Sequence, residues 1–171
     1  KKKKTQGARN TAVGVAALTA DTLGSRSTAI GYGTLSVQNF TTATESYNTA
    51  VGYLAGEDVT TAIFNTLIGG LAGDALTTGD SNTVLGYVAL SSDTKGERAV
   101  AIGEGALFTQ NFTTETSNYN VAMGYNAGYS VTTGTGQTLI GGLAGDAKTK
   151  GANNTAVGFS SLSSNQFFFF F

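Results

Sequence analysis

The stretch Thr-Leu-Ile-Gly-Gly-Leu-Ala-Gly-Asp-Ala occupies residues 66–75 and returns without a change at residues 138–147. Each copy is the sharpest example of a looser unit, in which two apolar residues precede one glycine. The nine glycines at this pivotal position are Gly14, Gly31, Gly52, Gly69, Gly86, Gly103, Gly124, Gly141 and Gly158. They lie 17, 21, 17 and 17 residues apart, and the same four intervals then repeat.

The four intervals together define a superunit of 72 residues. When residues 10–81 are laid over residues 82–153 without a gap, 42 of the 72 positions are identical, and residues 154–165 begin a third superunit. Self-similarity of this kind is typical of stacked coils, each of which buries its apolar face against its neighbours. We therefore predict an all-β fold, a β-roll or β-solenoid of short stacked coils with two strands each.

Both ends of the chain lie outside the repeat. Residues 1–9 form a basic end that opens with four lysines, and residues 166–171 form a phenylalanine-rich end. We interpret the two runs as non-native or unassigned material, with a basic tether and a hydrophobic docking tag as the functional alternatives. No apolar segment follows the lysines, as a signal peptide would require.

The composition excludes several classes of function. The chain has 24 glycines, no Cys and no His, only 12% charged residues and a net charge of −1. Disulfides, thiolate metal sites and histidine catalysis are therefore excluded. The charge gives no reason to expect a nucleic-acid partner. No apolar run approaches the ~20 residues that span a bilayer, so we expect no membrane insertion.

Two neighbouring apolar columns predict the quaternary structure. The residue before each pivotal glycine is a large aliphatic or Met, and the one before that is apolar and mostly small. Adjacent strand residues point to opposite faces, so we predict that both faces are buried, one in the coil's own core and one against another chain. The small column suits close approach at a symmetry axis. We therefore predict a homotrimer, with end-to-end polymerisation through open coil edges as a further expectation.

Asparagine recurs four positions before the pivotal glycine. It occupies this position in six of the nine units, at Asn10, Asn48, Asn65, Asn82, Asn120 and Asn154. Asn tolerates left-handed turns and hydrogen-bonds to nearby backbone, so stacked copies predict a ladder along the edge of the coils. We expect this role to be structural.

The two 21-residue intervals predict loops at residues 37–47 and 109–119. Insertions in a solenoid emerge on one face, which is frequently the binding face. The alternative is a decorated turn whose Phe packs under the loop. The candidate receptor-binding residues in the two loops, with a cell-surface glycan as the partner, are Gln38, Asn39, Phe40, Tyr47, Gln110, Asn111, Phe112 and Tyr119.

Aromatic residues also follow the pivotal glycine. They are Tyr32, Tyr53, Tyr87, Tyr125 and Phe159. Such a stripe is either a platform on which sugar rings stack or a column of side chains that pack on their neighbours. Tyr53 and Tyr125 are further candidates for receptor binding.

The sequence gives no support for catalysis. The glycine-rich segment 69–74 is followed by Ala75, where a phosphate-binding loop needs Lys-Ser/Thr. The acids are spread along periodic turns and form no convergent pair, so we predict no enzyme activity and no cofactor. Asp74 and Asp146 are candidates for a metal site, because each would meet its symmetry mates at a trimer axis, and Asp21 and Asp93 are similar candidates.

Three units carry a resemblance to known repeats. Residues 10–14, 48–53 and 154–158 read Asn-Thr-Ala-Val-Gly, with Tyr next in the second case. They resemble the N-T-A-[VI]-G-Y repeats of bacteriophage tail fibres. Residues 99–103, Ala-Val-Ala-Ile-Gly, are similar to the head repeats of trimeric autotransporter adhesins. The resemblance spans residues 10–165 and implies a trimeric left-handed β-roll that provides mechanical reach and surface adhesion.

This chain departs from the adhesin heads in its longer coils and its 72-residue superperiod, which favours the tail-fibre resemblance and leaves the handedness open. We expect a structural fibre segment, the shaft or distal region of a tail fibre, located extracellularly or on a virion surface. Nine coils give a rod about 40 Å long, so we expect the natural fibre to continue or to polymerise. The alternative is a bacterial adhesin head or a self-assembling extracellular filament that binds surface glycans.

Overall fold

The computed structural model of the chain describes residues 7–163. The four lysines of the basic end and the whole phenylalanine-rich end lie outside these residues. The described part is all-β, and it contains no helix that is long and apolar enough to cross a membrane. Its strands are Thr11–Val13 (β1), Gly24–Ser25 (β2), Thr28–Ile30 (β3), Thr44–Glu45 (β4), Thr49–Val51 (β5), Thr66–Ile68 (β6), Thr83–Leu85 (β7), Gly96–Glu97 (β8), Val100–Ile102 (β9), Thr116–Ser117 (β10), Val121–Met123 (β11), Thr138–Ile140 (β12) and Thr155–Val157 (β13).

Nine of the strands form one parallel sheet in which each coil pairs with the next. The order is β1-β3-β5-β6-β7-β9-β11-β12-β13, and equivalent residues pair, as Ala50 does with Leu67 and Val51 with Ile68. One strand from each coil therefore follows the next along the sheet, and equivalent positions form continuous columns. The prediction of a β-solenoid of stacked coils is confirmed.

The return side of the coils is less regular than we predicted. Second strands pair only where β2 meets β4 and β8 meets β10, and Thr135 forms a single bridge with Ala152. The other described return segments are turns and bends. Each pair joins a strand in a 17-residue interval, β2 or β8, to one in the following 21-residue interval, β4 or β10. Paired return strands therefore form beside the longer coils.

The pivotal glycines bring successive backbones into direct contact. Their φ angles lie between +121° and +145°, a region that side chains disfavour. A Cβ on Gly31 would lie 2.1 Å from the carbonyl oxygen of Gly52, and one on Gly69 would lie 2.4 Å from that of Gly86. Both the dihedral angle and the contact therefore require glycine.

The two apolar columns face the opposite way from our prediction, which placed the small column at an intermolecular axis. The small column lies inside the chain's own core, where Ala29, Ala50 and Ala101 are fully buried. The aliphatic column faces outward, and Ile30 is 39% and Leu85 46% exposed in the single chain. The assignment of the small column to an intermolecular axis is wrong, because the opposite wall of the flat coil already covers it.

Large and small residues complement one another in parts of this core. The coil that carries Leu35 has Ala29 in its strand. Leu67 instead lies against two glycines: a Cβ on Gly56 would approach Leu67 to 2.6 Å, and one on Gly73 would approach Leu67 and Leu76 to 2.9 Å. Close-packed interiors tolerate little change in volume, so Leu67 occupies the space that these glycines leave.

The predicted asparagine ladder is present, but it lies in the buried interior. The Asn48 Oδ1 accepts a hydrogen bond from the Asn65 amide at 2.9 Å, and the Asn65 Oδ1 accepts one from the Asn82 amide at 2.8 Å. Side-chain Nδ2 groups donate to the return wall, as from Asn65 to the Gly79 oxygen at 2.9 Å. Each asparagine therefore links its own coil to the next one and closes the corner between two walls.

We expect Asn120→Ala to lower the free energy of unfolding by about 3 kcal/mol or more, because each buried polar group left without a hydrogen-bond partner costs about 1–3 kcal/mol. The Asn120 side chain satisfies the Gln137 amide, the Gln110 Oε1 and the Gly134 oxygen. Urea denaturation followed by circular dichroism measures the loss. Asn111→Ala, at an exposed position in the preceding coil, is the matched control and should change stability by less than about 0.5 kcal/mol. Equal effects of the two substitutions would contradict the ladder's role.

Candidate functional site

The outward side of the nine-stranded sheet, here called the outer sheet face, carries no charge and combines an apolar column with a column that is mostly threonine. It consists of the first and third residues of each strand, because these point away from the core. The first residues are Thr11, Thr28, Thr49, Thr66, Thr83, Val100, Val121, Thr138 and Thr155. The third residues are Val13, Ile30, Val51, Ile68, Leu85, Ile102, Met123, Ile140 and Val157.

The outer sheet face is accessible along its whole described length. Exposure ranges from 37% at Ile140 to 66% at Val157 among its exposed large side chains. None of the 18 residues is charged, although the chain has 21 charged residues in all, ten basic and eleven acidic. A contiguous apolar stripe of this length marks an interaction surface.

One border of this face carries the aromatic residues that follow the pivotal glycines, here called the tyrosine edge. Its members Tyr32, Tyr53, Tyr87, Tyr125 and Phe159 are between 54% and 80% exposed. The rings of Tyr32 and Tyr53 stack with centroids 5.6 Å apart and planes 14° from parallel. The structure therefore combines the two alternatives: a ring can pack on its neighbour and still remain more than half accessible.

The two predicted binding loops bury half of their candidate residues. Gln38 and Gln110 are fully buried, and Phe40 and Phe112 are only 5% and 7% exposed. The Gln38 side chain donates to Asp21 at 2.8 Å and accepts from Asn48 at 2.8 Å. These four side chains are therefore not receptor contacts in the folded chain; each Phe packs under its loop, as in the alternative that we described.

The asparagines of the two loops remain exposed. Asn39 accepts a hydrogen bond from the Thr22 hydroxyl at 3.0 Å, and Asn111 accepts one from Thr94 at 3.1 Å. Both belong to a column of return-side polar residues that bridges one coil to the next. Because both side chains are exposed, Asn39 and Asn111 remain candidates for receptor binding, at matching positions of the two superunits.

Tyr47 and Tyr119 lie on the other border of the outer sheet face, beside basic residues that the sequence analysis missed. The Arg26 guanidinium lies 5.2 Å from the ring centre of Tyr47, which also stacks on Phe64 at 5.8 Å. Arg98 lies over Tyr119 in the same way, at 5.9 Å. The identity of the two arginines across the superunits was the signal that could have identified these pairs.

Glu45 completes the first of these arginine clusters. It forms an ion pair with Arg26 at 2.8 Å and accepts a hydrogen bond from the Tyr47 hydroxyl at 2.9 Å. The hydrogen bond from Tyr47, together with Arg26, lowers the pKa of Glu45, and the same bond raises the pKa of Tyr47. The charges of the cluster thus neutralise each other. To a sugar or a peptide, the cluster presents the faces of aromatic rings and no free charge.

The carboxylate of Asp93, which the sequence marked only as a metal candidate, is fully buried. It accepts hydrogen bonds from the Gln110 side chain at 2.6 Å and from the Phe112 and Gly96 amides at 3.0 Å each. Burial raises the pKa of Asp93 although these hydrogen bonds oppose the shift. The group closes the inner side of the loop and has no contact with solvent, so its role is to hold Gln110 in place.

The metal candidates Asp74 and Asp146 do not form a binding cluster. Within the described residues, no three acidic, His or Cys side chains converge as metal ligands. The Oδ1 atoms of both Asp74 and Asp146 are buried without a hydrogen-bond partner. Burial raises the pKa of Asp74 to about 6, with the backbone amide of Asp74 opposing it and the charges of Asp58 and Glu57 adding to it.

Because the raised pKa of Asp74 favours its protonated form in the folded chain, its ionisation destabilises the fold as the pH rises from about 3.8 to about 6. We expect Asp74→Asn to raise the free energy of unfolding by about 1 kcal/mol at pH 7.5, a value reduced for the partial exposure of the site. The gain should vanish near pH 3.5. Thermal denaturation at both pH values measures it.

Asp146→Asn is the matched control, because Tyr129 and Ser130 occupy the positions of Glu57 and Asp58 in the preceding coil. It should stabilise the chain less at pH 7.5. A gain for Asp74→Asn that is equally large at pH 3.5 would show that ionisation is not its cause.

No family model matches the chain, and comparison with curated proteins and with solved structures gives no match. The functional argument therefore depends on the geometry of the outer sheet face and its two aromatic borders.

Proposed function

We propose that this chain is a structural fibre segment that assembles as a homotrimer through the outer sheet face. The observation that carries the proposal is the exposed aliphatic column, which extends over nine coils without one charge. Burying apolar area stabilises association by roughly 25 cal/mol per Å². Three identical faces around one axis would cover each other and leave the charged return sides in water.

The size of the face fits a stable interface. Nine strands spaced by about 4.8 Å give a length of about 40 Å. The strands with their two aromatic borders are about 20 Å wide, since they span six or seven extended residues of about 3.3 Å each. The resulting area is about 800 Å² per chain, the amount that each partner buries in a standard stable two-body interface, and in a trimer it is divided between two neighbours.

The proposed role of the trimer is mechanical reach and attachment to a host surface, as the shaft or distal region of a phage tail fibre, extracellular or on a virion. The uniform coil gives a straight rod whose length grows with the number of superunits. The second candidate is a bacterial adhesin head or an extracellular filament that binds surface glycans. The accessible rings of the tyrosine edge favour this attachment role. Neither assignment gives the chain a catalytic function.

Paired substitutions on the outer sheet face test the homotrimer. We expect the natural chain to sediment as a trimer at micromolar concentration, and Ile68→Lys/Ile140→Lys to sediment as a folded monomer. Both residues face away from the core, so the lysines are tolerated in one chain and repel each other across an interface. Analytical ultracentrifugation gives the mass, and circular dichroism confirms the fold.

Thr61→Lys/Thr133→Lys is the matched control, because these equivalent threonines are exposed on the return side. This variant should remain trimeric. A monomeric natural chain, or a trimer that survives lysines on the outer sheet face, would refute the proposed interface.

A further inference from the structure

The border of the outer sheet face opposite the tyrosine edge is a second regular column, here called the arginine edge. Its nine residues lie five positions before the pivotal glycines, and all have φ between +50° and +67°. They are Arg9, Arg26, Tyr47, Phe64, Ser81, Arg98, Tyr119, Gly136 and Asn153. Each coil therefore ends its outer sheet face with one residue of the arginine edge and one residue of the tyrosine edge.

The two edges carry opposite charges. The arginine edge has three arginines and no acidic residue, and the tyrosine edge has one charged residue, Glu104. Glu104 belongs to the same coil as Arg98, and both residues are exposed. Six residue steps across the strand separate them, a distance of about 20 Å, so they cannot form an ion pair within one chain.

Arg98 is held in place and still has donors for a further partner. Its Nη1 donates hydrogen bonds to the Glu97 carboxylate at 2.5 Å and to the Ser117 hydroxyl. The guanidinium lies 5.9 Å from the ring centre of Tyr119, and the side chain is 47% exposed. Both hydrogen bonds use one nitrogen, whereas a guanidinium has five N–H groups on three nitrogens. The other nitrogens can therefore bind a second carboxylate.

Symmetry decides which edges meet in an assembly of identical chains. Rotation about an axis parallel to the rod does not move a coil along that axis, so each coil meets the same coil of its neighbour. Around such a ring, the arginine edge of one copy lies beside the tyrosine edge of the next. An antiparallel dimer would instead pair each edge with its own kind. Of the two arrangements, only the parallel ring brings Glu104 to Arg98.

The register of the ring is also set by these residues. With coil against the same coil, Arg26 of one copy faces the exposed ring of Tyr32 in the next, a favourable pairing of a cation with an aromatic face. A shift of one coil would place Glu104 opposite Ser81 or Tyr119 and remove its ion pair. The unshifted ring therefore matches both charged positions of the two superunits.

We propose that the trimer pairs the arginine edge of each copy with the tyrosine edge of the next, coil against the same coil, with an ion pair between Arg98 and Glu104 of neighbouring copies. This inference rests on the proposed homotrimer and names the residues by which one copy recognises another. The aliphatic column supplies the buried area, and the charges fix orientation and register, because electrostatic complementarity disfavours wrong pairings.

Cysteine pairs test the register, because the natural chain contains no cysteine. Ser81→Cys/Tyr87→Cys places one thiol on each edge of the same coil. A disulfide needs Cα atoms within about 7 Å, so the link cannot cross one face and must join two chains. After mild oxidation, we expect covalent trimers in non-reducing denaturing electrophoresis.

Ser81→Cys/Tyr125→Cys is the matched control for the register. Its two thiols lie two coils apart, about 9.6 Å along the rod, so neighbouring copies should stay unlinked. Both cysteine variants carry the same residue changes, Ser to Cys and Tyr to Cys, on the same two edges. A difference in linking between them therefore reports the register alone.

Charge reversal tests the ion pair. The lysine of Glu104→Lys would face Arg98 of the neighbouring copy, so we expect the dissociation constant of the trimer to rise at least tenfold at low salt and less in concentrated salt. Glu115→Lys is the control with the same change in net charge, because Glu115 is exposed in the loop 109–119. It should leave the constant within twofold. Sedimentation over a concentration series measures both.

Sedimentation of the same samples separates this inference from the proposed function. Trimers that form no in-register link, that link equally in both cysteine variants, or that tolerate Glu104→Lys as well as Glu115→Lys overturn the edge pairing and leave the trimer intact. A chain that sediments as a dimer and forms the in-register link retains the edge pairing and refutes the trimer. A monomeric chain refutes both and leaves the outer sheet face to a partner of another kind.

Discussion

The backbone contact between successive pivotal glycines is the constraint on which the structure depends. With φ near +130° and a neighbouring carbonyl oxygen where a Cβ would be, the glycine sets how closely two coils approach. The flanking strands then pair in register, one strand spacing apart. Equivalent positions of the unit consequently form continuous columns along the coils. A single substitution changes one coil, while a repeated residue type forms a surface.

The interior shows how the chain departs from uniform repetition without losing register. Seven residues after the pivotal glycine, the first two coils of each superunit carry an Asp and a Gln, at Asp93 and Gln110 in the second superunit. The next two coils carry Val59 and Leu76 in the first superunit and Val131 and Lys148 in the second. The buried polar groups satisfy one another and the Asn120 side chain. The four extra residues of the longer coil lie on the return side, where they allow Phe112 to cover this polar layer. The longer coil and the buried polar residues therefore occur together in each superunit.

The sequence predicted the columns but not which of them faces inward. Stacked coils and the asparagine ladder follow from spacing and residue type alone. Both strand columns are apolar, however, so alternation could not distinguish core from surface, and the small size of Ala50 pointed to an intermolecular axis. The interior is in fact narrow, and it holds a residue as large as Leu67 in this column where Gly56 and Gly73 leave the space. The distance between the walls depends on the whole coil, so it cannot be predicted from the residues of one strand.

The candidate site was predictable to a similar extent. Tyr53 and Tyr125 are exposed as a periodic aromatic column implies, whereas Gln38 is buried because its partners Asp21 and Asn48 approach only when coils stack.

One fixed coil rise gives the two halves of the surface different properties. A residue type shown in every coil, like the aliphatic column, forms a continuous stripe that only another extended face can cover. Where the residue type changes from coil to coil, as in the column that holds Tyr53, Gly70, Tyr87 and Glu104, the same rise gives separate local surfaces instead of one stripe. A continuous surface for self-association therefore needs a column without interruption. This chain has nine uncharged positions in its aliphatic column and an interrupted aromatic series in the neighbouring one.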